Sequence, residues 1–272
     1  MPNFRSNSLE QYYTLPDLAE SCFSFMVDKI GADHQWIEPT AGTGVFVEVL
    51  RKHGIHDFMA FDIDPKHPDV RRQDFLKTSF DSFDNVFIGN PPFGRACSIA
   101  IKIFNQCAKF GRYIGFIVPR SFNKISIQDK LNQNFHLIHK MDCPSISFTD
   151  EYGAPHEGGL LRTEFQIWKR DASNPRDRLQ SYRSRHFAFV RKTEPYDFAF
   201  RTHGGGAGRV LPEGDYNPRT TAFIKMIDPE VKEAFQKADF TCFSQEVSYI
   251  PCLGPAEISF CIDRFMSKNK GK

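Results

Sequence analysis

Val86-Phe87-Ile88-Gly89-Asn90-Pro91-Pro92-Phe93 is an apolar run that stops abruptly. Its first four residues read as a buried β-strand, and the two prolines after Asn90 supply no amide donors, so a strand ladder cannot continue through them. Similar strand ends occur on both sides. Upstream, Trp36-Ile37-Glu38 runs into the turn Pro39 to Gly44, and Phe58-Met59-Ala60-Phe61 ends at Asp62; downstream, Tyr113 to Val118 is stopped by Pro119. Helical spacing lies between them. Phe46, Val49 and Leu50 share one face, and Thr14 followed by Pro16 reads as a capped start for a helix through Leu18, Cys22, Phe25 and Met26. Strand-like runs alternating with helical ones predict βα units and a mostly parallel sheet, an α/β fold.

From Leu137 the pattern changes. Leu137 to Met141 and Leu160 to Trp168, separated by a polar stretch with glycine and proline, predict an antiparallel pair closing the sheet edge. The first domain is expected over residues 1–170, with Asp171 to Gln180 as linker and a smaller α+β region over 171–272. In that region Phe187-Ala188-Phe189 and Phe198-Ala199-Phe200 suggest strands, Gly204 to Gly208 a tight loop, and Thr221 to Lys237 a helix.

The 272 residues are 40% hydrophobic and 25% charged, the balance of a soluble globular protein with one sizeable core and a smaller lobe. No run approaches the ~20 apolar residues that span a bilayer, and Met1 to Ser6 lacks the apolar stretch of a signal peptide, so a cytoplasmic or nuclear setting without membrane attachment is expected. The seven cysteines form no CxxC pair and are odd in number, which argues against a zinc site or disulfide framework and for buried thiols. His156, His186 and His203 are too scattered to hold a metal and read as surface or loop residues. Residues 1–170 carry net charge −1 and 171–272 carry +3; Arg176 to Arg209 hold eight basic residues against three acids. A polyanion is met by such a local excess rather than by the total charge. Arg183, Arg185, Arg201 and Arg209 are the candidate phosphate contacts, the last two flanking the Gly204 to Gly208 loop.

Ligands of an open parallel sheet bind at the carboxyl ends of its strands, near the reversal of strand order. Glu38-Pro39-Thr40-Ala41-Gly42-Thr43-Gly44 follows the first strand; Val47 stands where GxGxxG has its third glycine, which disfavours a dinucleotide. Asp62 comes 24 positions after Glu38, near the ~20-residue offset at which an acid meets ribose hydroxyls. Asp74 and Phe75 follow a third strand, where a carboxylate and a ring suit adenine. Asn90-Pro91-Pro92-Phe93 suits an exocyclic base amine, whose lone pair is delocalised into the ring. The Asn90 side-chain oxygen and the Pro91 carbonyl would each accept one N–H, Phe93 would stack on the base, and the prolines would hold the loop. A sulfonium methyl is electrophilic enough for proximity and orientation to supply much of the acceleration.

On these motifs and their order, the chain resembles the class I S-adenosylmethionine methyltransferases over about residues 8 to 170, specifically amino-methyltransferases with an Asn-Pro-Pro-aromatic motif, in the γ-type order. The resemblance implies a Rossmann-like seven-stranded sheet, S-adenosylmethionine as cofactor, and N6 methylation of adenine in DNA. It implies that Thr14, in Gln11-Tyr12-Tyr13-Thr14, contacts the methionine carboxylate. Glu38, Ala41 and Gly42 would line the methionine half, Gly44 would also belong to the cofactor site, Asp62 would take the ribose, Asp74 and Phe75 the adenine, and Asn90 to Phe93 the target amine. The region after residue 170 is expected to select the nucleic acid, DNA being favoured over RNA by its size. A monomer is expected, with a restriction or activator partner left open. The competing readings are an RNA adenine or guanine-amine methyltransferase, a protein glutamine methyltransferase, which more often has tyrosine in place of Phe93, and a non-catalytic nucleic-acid-binding relative.

Overall fold

A computed structural model of the chain describes residues 13–144, 148–149, 162–244 and 251–269. Gln11, Tyr12, His156, Leu160 and Leu161 lie outside the described residues. The chain divides into two compact units, one from residues up to Pro119 together with Lys130–Arg176, the other from Arg120–Asp129 together with Asp177 onward. A single cut at residue 170 therefore misses one feature: ten residues within the first half of the chain belong to the second unit.

In the first unit the elements are β1 (Tyr13–Thr14), α1 (Pro16–Ile30), β2 (Gln35–Glu38), α2 (Val45–Lys52), β3 (Phe58–Asp62), β4 (Arg71–Arg72), β5 (Asn85–Gly89), α3 (Ser98–Phe110), β6 (Gly111–Pro119), β7 (Phe135–Cys143), β8 (Phe148–Thr149) and β9 (Thr163–Arg170). Seven strands form one sheet in the order β4-β3-β2-β5-β6-β9-β7. The pairs from β4 to β6 are parallel, and β9 runs antiparallel to both β6 and β7. This is a Rossmann-like seven-stranded sheet, and its order reverses between β2 and β5. Pro16 opens α1 as expected, but the residue before it, Leu15, makes no side-chain cap. Thr14 is instead a strand residue, paired with Phe148 in the two-residue antiparallel β1–β8 contact.

Both sheet faces are covered, which is why β5 is buried throughout. Leu18, Cys22 and Met26 of α1 and Phe46 and Leu50 of α2 pack on Trp36, Val86, Ile88, Phe165 and Ile167. Each such side chain contributes about 1.5–3 kcal/mol by leaving water. Gly115 admits α1 to this face: a Cβ there would lie 2.4 Å from the Met26 sulfur and 2.8 Å from the Phe165 ring. Elsewhere Phe104 of α3 meets Phe116, Phe135 and Trp168 edge-on. Strand alternation sends Glu164, Gln166 and Trp168 of β9 to the side opposite Phe165 and Ile167. They are linked in a buried chain: Trp168 Nε1 donates to Gln166 Oε1 (3.0 Å), Gln166 Nε2 donates to Glu164 Oε1 (2.5 Å), and Lys140 Nζ of β7 lies 3.6 Å from Glu164 Oε2.

The second unit comprises α4 (Ile125–Gln128), β10 (Phe187–Val190), β11 (Phe198–Arg201), β12 (Arg209–Leu211), β13 (Thr221–Met226), α5 (Val231–Lys237), α6 (Thr241–Ser244) and α7 (Pro255–Asn269). Its antiparallel sheet has the order β10-β13-β11-β12, and Phe187, Phe198, Phe200, Phe235, Phe240, Ile258 and Ile262 form its core. The helix expected over Thr221 to Lys237 is a correction. Thr221 to Met226 pairs with β10 on one side and β11 on the other, and only Val231 onward is helical. Two ladders outweigh a helical spacing that Asp228-Pro229 interrupts. The early segment is tied into this unit by Lys124, whose buried ammonium donates to Glu257 Oε2 (2.5 Å) and to the Cys252 carbonyl (2.7 Å). Two further expectations change. His186 is buried, with Nδ1 3.0 Å from Asp228 Oδ2, rather than a surface residue, and Cys242 is exposed rather than buried.

Candidate active site

One cavity of about 260 Å³ lies along the carboxyl edge of the parallel strands. Its lining includes Thr14, Glu38, Ala41, Gly42, Asp62, Asp74, Phe75 and Asn90-Pro91-Pro92-Phe93. The strand order β4-β3-β2-β5 places Asp74, Asp62, Glu38 and Asn90 in succession along this edge, over about 14 Å at the usual spacing between strands.

The turn after β2 is built for close approach. Gly42 has φ +51°, and its N–H donates to Asp62 Oδ2 (2.8 Å); a Cβ would lie 3.2 Å from the Tyr13 ring. Asp62 Oδ1 accepts from the Asp64 N–H (2.8 Å), so two backbone donors fix the carboxylate, and each oxygen keeps a lone pair for a hydroxyl. Gly44 is not in the lining. It starts α2 at φ +79°, with the His67 ring 2.5 Å from where a Cβ would stand, so its need for glycine is conformational.

Glu38 is 2% exposed, and its Oε2 has no hydrogen-bond partner among the described residues. Burial, reinforced by the negative charge of Asp62 and opposed by the Val47 N–H, holds its carboxyl well above the ordinary carboxylate range. A buried acceptor of this kind calls for a donor, best a cation, in the cavity.

At the far end Asp74 Oδ1 accepts from the Leu76 N–H (3.1 Å), capping a short 3₁₀ turn, and Oδ2 lies 3.3 Å from Lys77 Nζ. The Phe75 ring is buried against Phe61, Phe80 and Phe87. Sequence reasoning missed Ile63 and Leu76, which line the cavity although 59% and 41% exposed. Aliphatic residues placed directly after a strand-ending acid, Ile63 after Asp62 and Leu76 close to Asp74, were the available signal.

Asn90 Nδ2 donates to Thr14 Oγ1 (3.1 Å), a contact between residues 76 positions apart that brings β1 to the end of β5. That bond makes the amide oxygen the acceptor end of the Asn90 side chain. The Phe93 carbonyl accepts from the Ile99 and Ala100 N–H groups at the start of α3. Between them Ala96 and Cys97 have φ +51° and +61°, left-handed conformations that cost L-residues about 1–2 kcal/mol each.

The four arginines form no single patch. Arg201 and Arg209 face each other across β11 and β12. Arg201 Nη1 also donates to Thr220 Oγ1 (3.2 Å), whereas Arg209 is exposed. Arg183 and Arg185 precede β10, at the opposite edge of that sheet, and the Arg183 guanidinium donates to the Gln180 and Tyr182 carbonyls. In the Gly204 to Gly208 loop, the N–H groups of Gly204, Ala207 and Gly208 donate to the backbone carbonyls of Pro251, Gly204 and Arg201. The loop is therefore pinned, and those three amides are not offered to phosphate.

No family model and no curated protein matches this chain. Among solved structures it is similar to a candidate class I S-adenosylmethionine-dependent methyltransferase from Listeria monocytogenes, at 15% identity over 64% of this chain and 65% of that one, TM-score 0.47. It is also similar to a candidate RNA methyltransferase from Pyrococcus horikoshii (15% identity, 63% and 93% covered, TM-score 0.47). A third is the modification subunit of a candidate type I restriction enzyme from Vibrio vulnificus (14% identity, 70% and 49% covered, TM-score 0.43). The chain thus spans slightly less than two thirds of the first of these and about half of the third.

Proposed function

We propose that the chain is an S-adenosylmethionine-dependent methyltransferase acting on the exocyclic N6 amine of adenine in DNA. The observation that carries this reading is the linear order of groups in one cavity: Asp74 with Phe75, then Asp62, then Glu38, then Asn90. That order matches an adenine, a ribose diol, an ammonium-bearing amino acid and a target amine laid end to end. Glu38 provides the fit to the cofactor from the chain's own side, because its unpartnered buried oxygen is satisfied by an ammonium group. Asp62 would accept from the ribose hydroxyls, and Ile63, Leu76 and Phe75 would flank the adenine. When bound, the cofactor supplies an electrophilic methyl group.

The rest of the work falls to the Asn-Pro-Pro-Phe loop. Asn90 Oδ1 and the Pro91 carbonyl each accept one N–H of the target amine, which turns the nitrogen lone pair toward the methyl donor. Neither group is basic enough to take the proton beforehand; it passes to water from the methylated nitrogen, which is cationic and far more acidic. Phe93, 6% exposed and lining the cavity, packs on the base. A duplex base must leave its stack to reach such a pocket. Arg201 and Arg209 of the second unit support a nucleic-acid partner, since like charges facing across two strands are compensated by an anion.

Tritiated S-adenosylmethionine with unmethylated DNA and RNA, followed by nucleoside analysis, tests the reading. Label in N6-methyldeoxyadenosine is expected, absent with Asn90→Ala. Label confined to RNA nucleosides or to protein would replace the substrate assignment; no transfer and no cofactor binding would remove the enzyme assignment.

A further inference from the structure

We infer that Thr14 is a positioning residue that makes the orientation of the Asn90 amide depend on the cofactor's carboxylate. This rests on the reading above, but not on whether the acceptor is DNA or RNA. Thr14 is 7% exposed, lines the cavity, and accepts from Asn90 Nδ2 through Oγ1 at 3.1 Å. A threonine hydroxyl has one hydrogen and can either donate or accept toward a neighbouring amide. Asn90 faces the converse choice, because rotating its amide by half a turn exchanges the C=O and NH₂ ends. With Nδ2 toward Thr14, the acceptor end serves the target amine. With the amide reversed, Thr14 donates to Oδ1 and an NH₂ group confronts the amine, donor against donor.

The hydroxyl hydrogen decides between these states. If it is drawn away by an acceptor in the cavity, Thr14 has only lone pairs left for Asn90, and Asn90 must donate. Among the pieces of the proposed cofactor the carboxylate is the strongest acceptor and the one that best holds such a hydrogen. Carboxylate, Thr14 hydroxyl and Asn90 amide then form one polarised chain whose far end is the acceptor for the target nitrogen. Local order supports such a role. Thr14 is held in register by β8, through the Thr14 and Phe148 pairing, and Asn90 stands at the end of a fully buried strand, so the two side chains meet on fixed backbones.

The test uses the full chain with asparagine-selective ¹⁵N labelling, the Asn90 side-chain resonances being assigned by their loss in Asn90→Ala. S-adenosylhomocysteine at saturation should shift the Asn90 NH₂ pair in the unaltered protein and in Thr14→Ser. It should leave the pair in place in Thr14→Val. 5′-Methylthioadenosine, which keeps the nucleoside and thioether but lacks the carboxylate, should bind without that shift, and this arm needs no variant. In turnover at saturating cofactor, Thr14→Val should lose about ten- to a hundred-fold in kcat, the value of one hydrogen bond to a charged group, and Thr14→Ser should recover most of it. An Asn90 pair that follows S-adenosylhomocysteine in Thr14→Val, or one that responds equally to 5′-methylthioadenosine, overturns the inference. So does a turnover loss confined to the KM for cofactor. Absence of S-adenosylhomocysteine binding in calorimetry would instead sink the proposed function.

Discussion

Replacing Glu38 by glutamine should make the unliganded protein more stable and its complex with the cofactor weaker, two effects of opposite sign from one charge. The side chain is 2% exposed, Oε2 has no partner among the described residues, and its carboxyl is held above its ordinary value of 4.5 chiefly by burial. A group whose folded value is raised keeps its proton in the native state over a range where the unfolded chain has lost it. The wild-type protein therefore loses stability as pH rises from about 4.5 toward that raised value, while the glutamine variant does not. Glutamine leaves a buried amide in place but removes the cost of ionising there, which grows by about 1.4 kcal/mol for each pH unit between the unfolded and folded values, so at about 2–4 °C per kcal/mol for a protein of this size the melting temperature should rise by about 3–6 °C for each such unit. The difference should vanish in acid, where both side chains are neutral. With S-adenosylhomocysteine present, the variant lacks the charged acceptor for the ammonium group, a loss of about 1.5–3 kcal/mol, or about 10- to 150-fold in Kd. Thermal melts across pH and calorimetry measure the two effects. A variant that melts lower in alkaline buffer, or that binds S-adenosylhomocysteine as tightly as wild type, would refute the assignment of Glu38 as an unsatisfied acceptor awaiting a cation.

Asn90→Ala should lower turnover by about 10²- to 10³-fold, the usual effect of deleting one group aimed at the reacting atom, with calorimetric affinity for S-adenosylhomocysteine little changed. Arg201→Ala with Arg209→Ala should reduce the salt slope of nucleic-acid binding by about 2, near 0.9 for each phosphate contact, without lowering the melting temperature, since like charges facing across β11 and β12 oppose folding. Gly44→Ala should destabilise by at least about 1–2 kcal/mol in chemical denaturation, because φ +79° disfavours a side chain and the His67 ring occupies its place. Cys242, exposed and 3.9 Å from the Cys261 sulfur, has a thiol brought down to about 7 by the hydrogen bond from Cys261. Its alkylation by iodoacetamide should rise through neutral pH, as thiolate replaces thiol, while buried Cys22 and Cys107, pushed up by desolvation, stay unlabelled; a midpoint near 9 for Cys242 would contradict this.

The first unit was readable because its signals are local. A buried strand broken by Asn90-Pro91-Pro92, and acids at Glu38, Asp62 and Asp74, each mark a strand end without knowledge of the rest of the chain. Thr14 was misread as a helix cap because its partners, Phe148 and Asn90, are distant in sequence. Ile63 and Leu76 escaped notice since an aliphatic side chain has no signature until a cavity forms beside it. Thr221 to Met226 looked helical by spacing, and only pairing on both sides makes it a strand. The allocation of residues 120–129 to the second unit depends on Lys124 finding Glu257, 133 positions away.

The position of β9 imposes an order on how the sheet is completed. Strand β7 precedes β9 in the chain, yet β9 separates it from β6. Until residues 163–170 emerge, β7 has no ladder to join, and β6 presents an open edge to any passing extended segment. The chain Trp168, Gln166, Glu164, with Lys140 at its end, then acts as an address. A slip of one residue would turn Glu164 and Gln166 into the apolar layer beneath α1 and leave them without partners. The same polar side chains that add little net stability thus select one way of inserting the last strand.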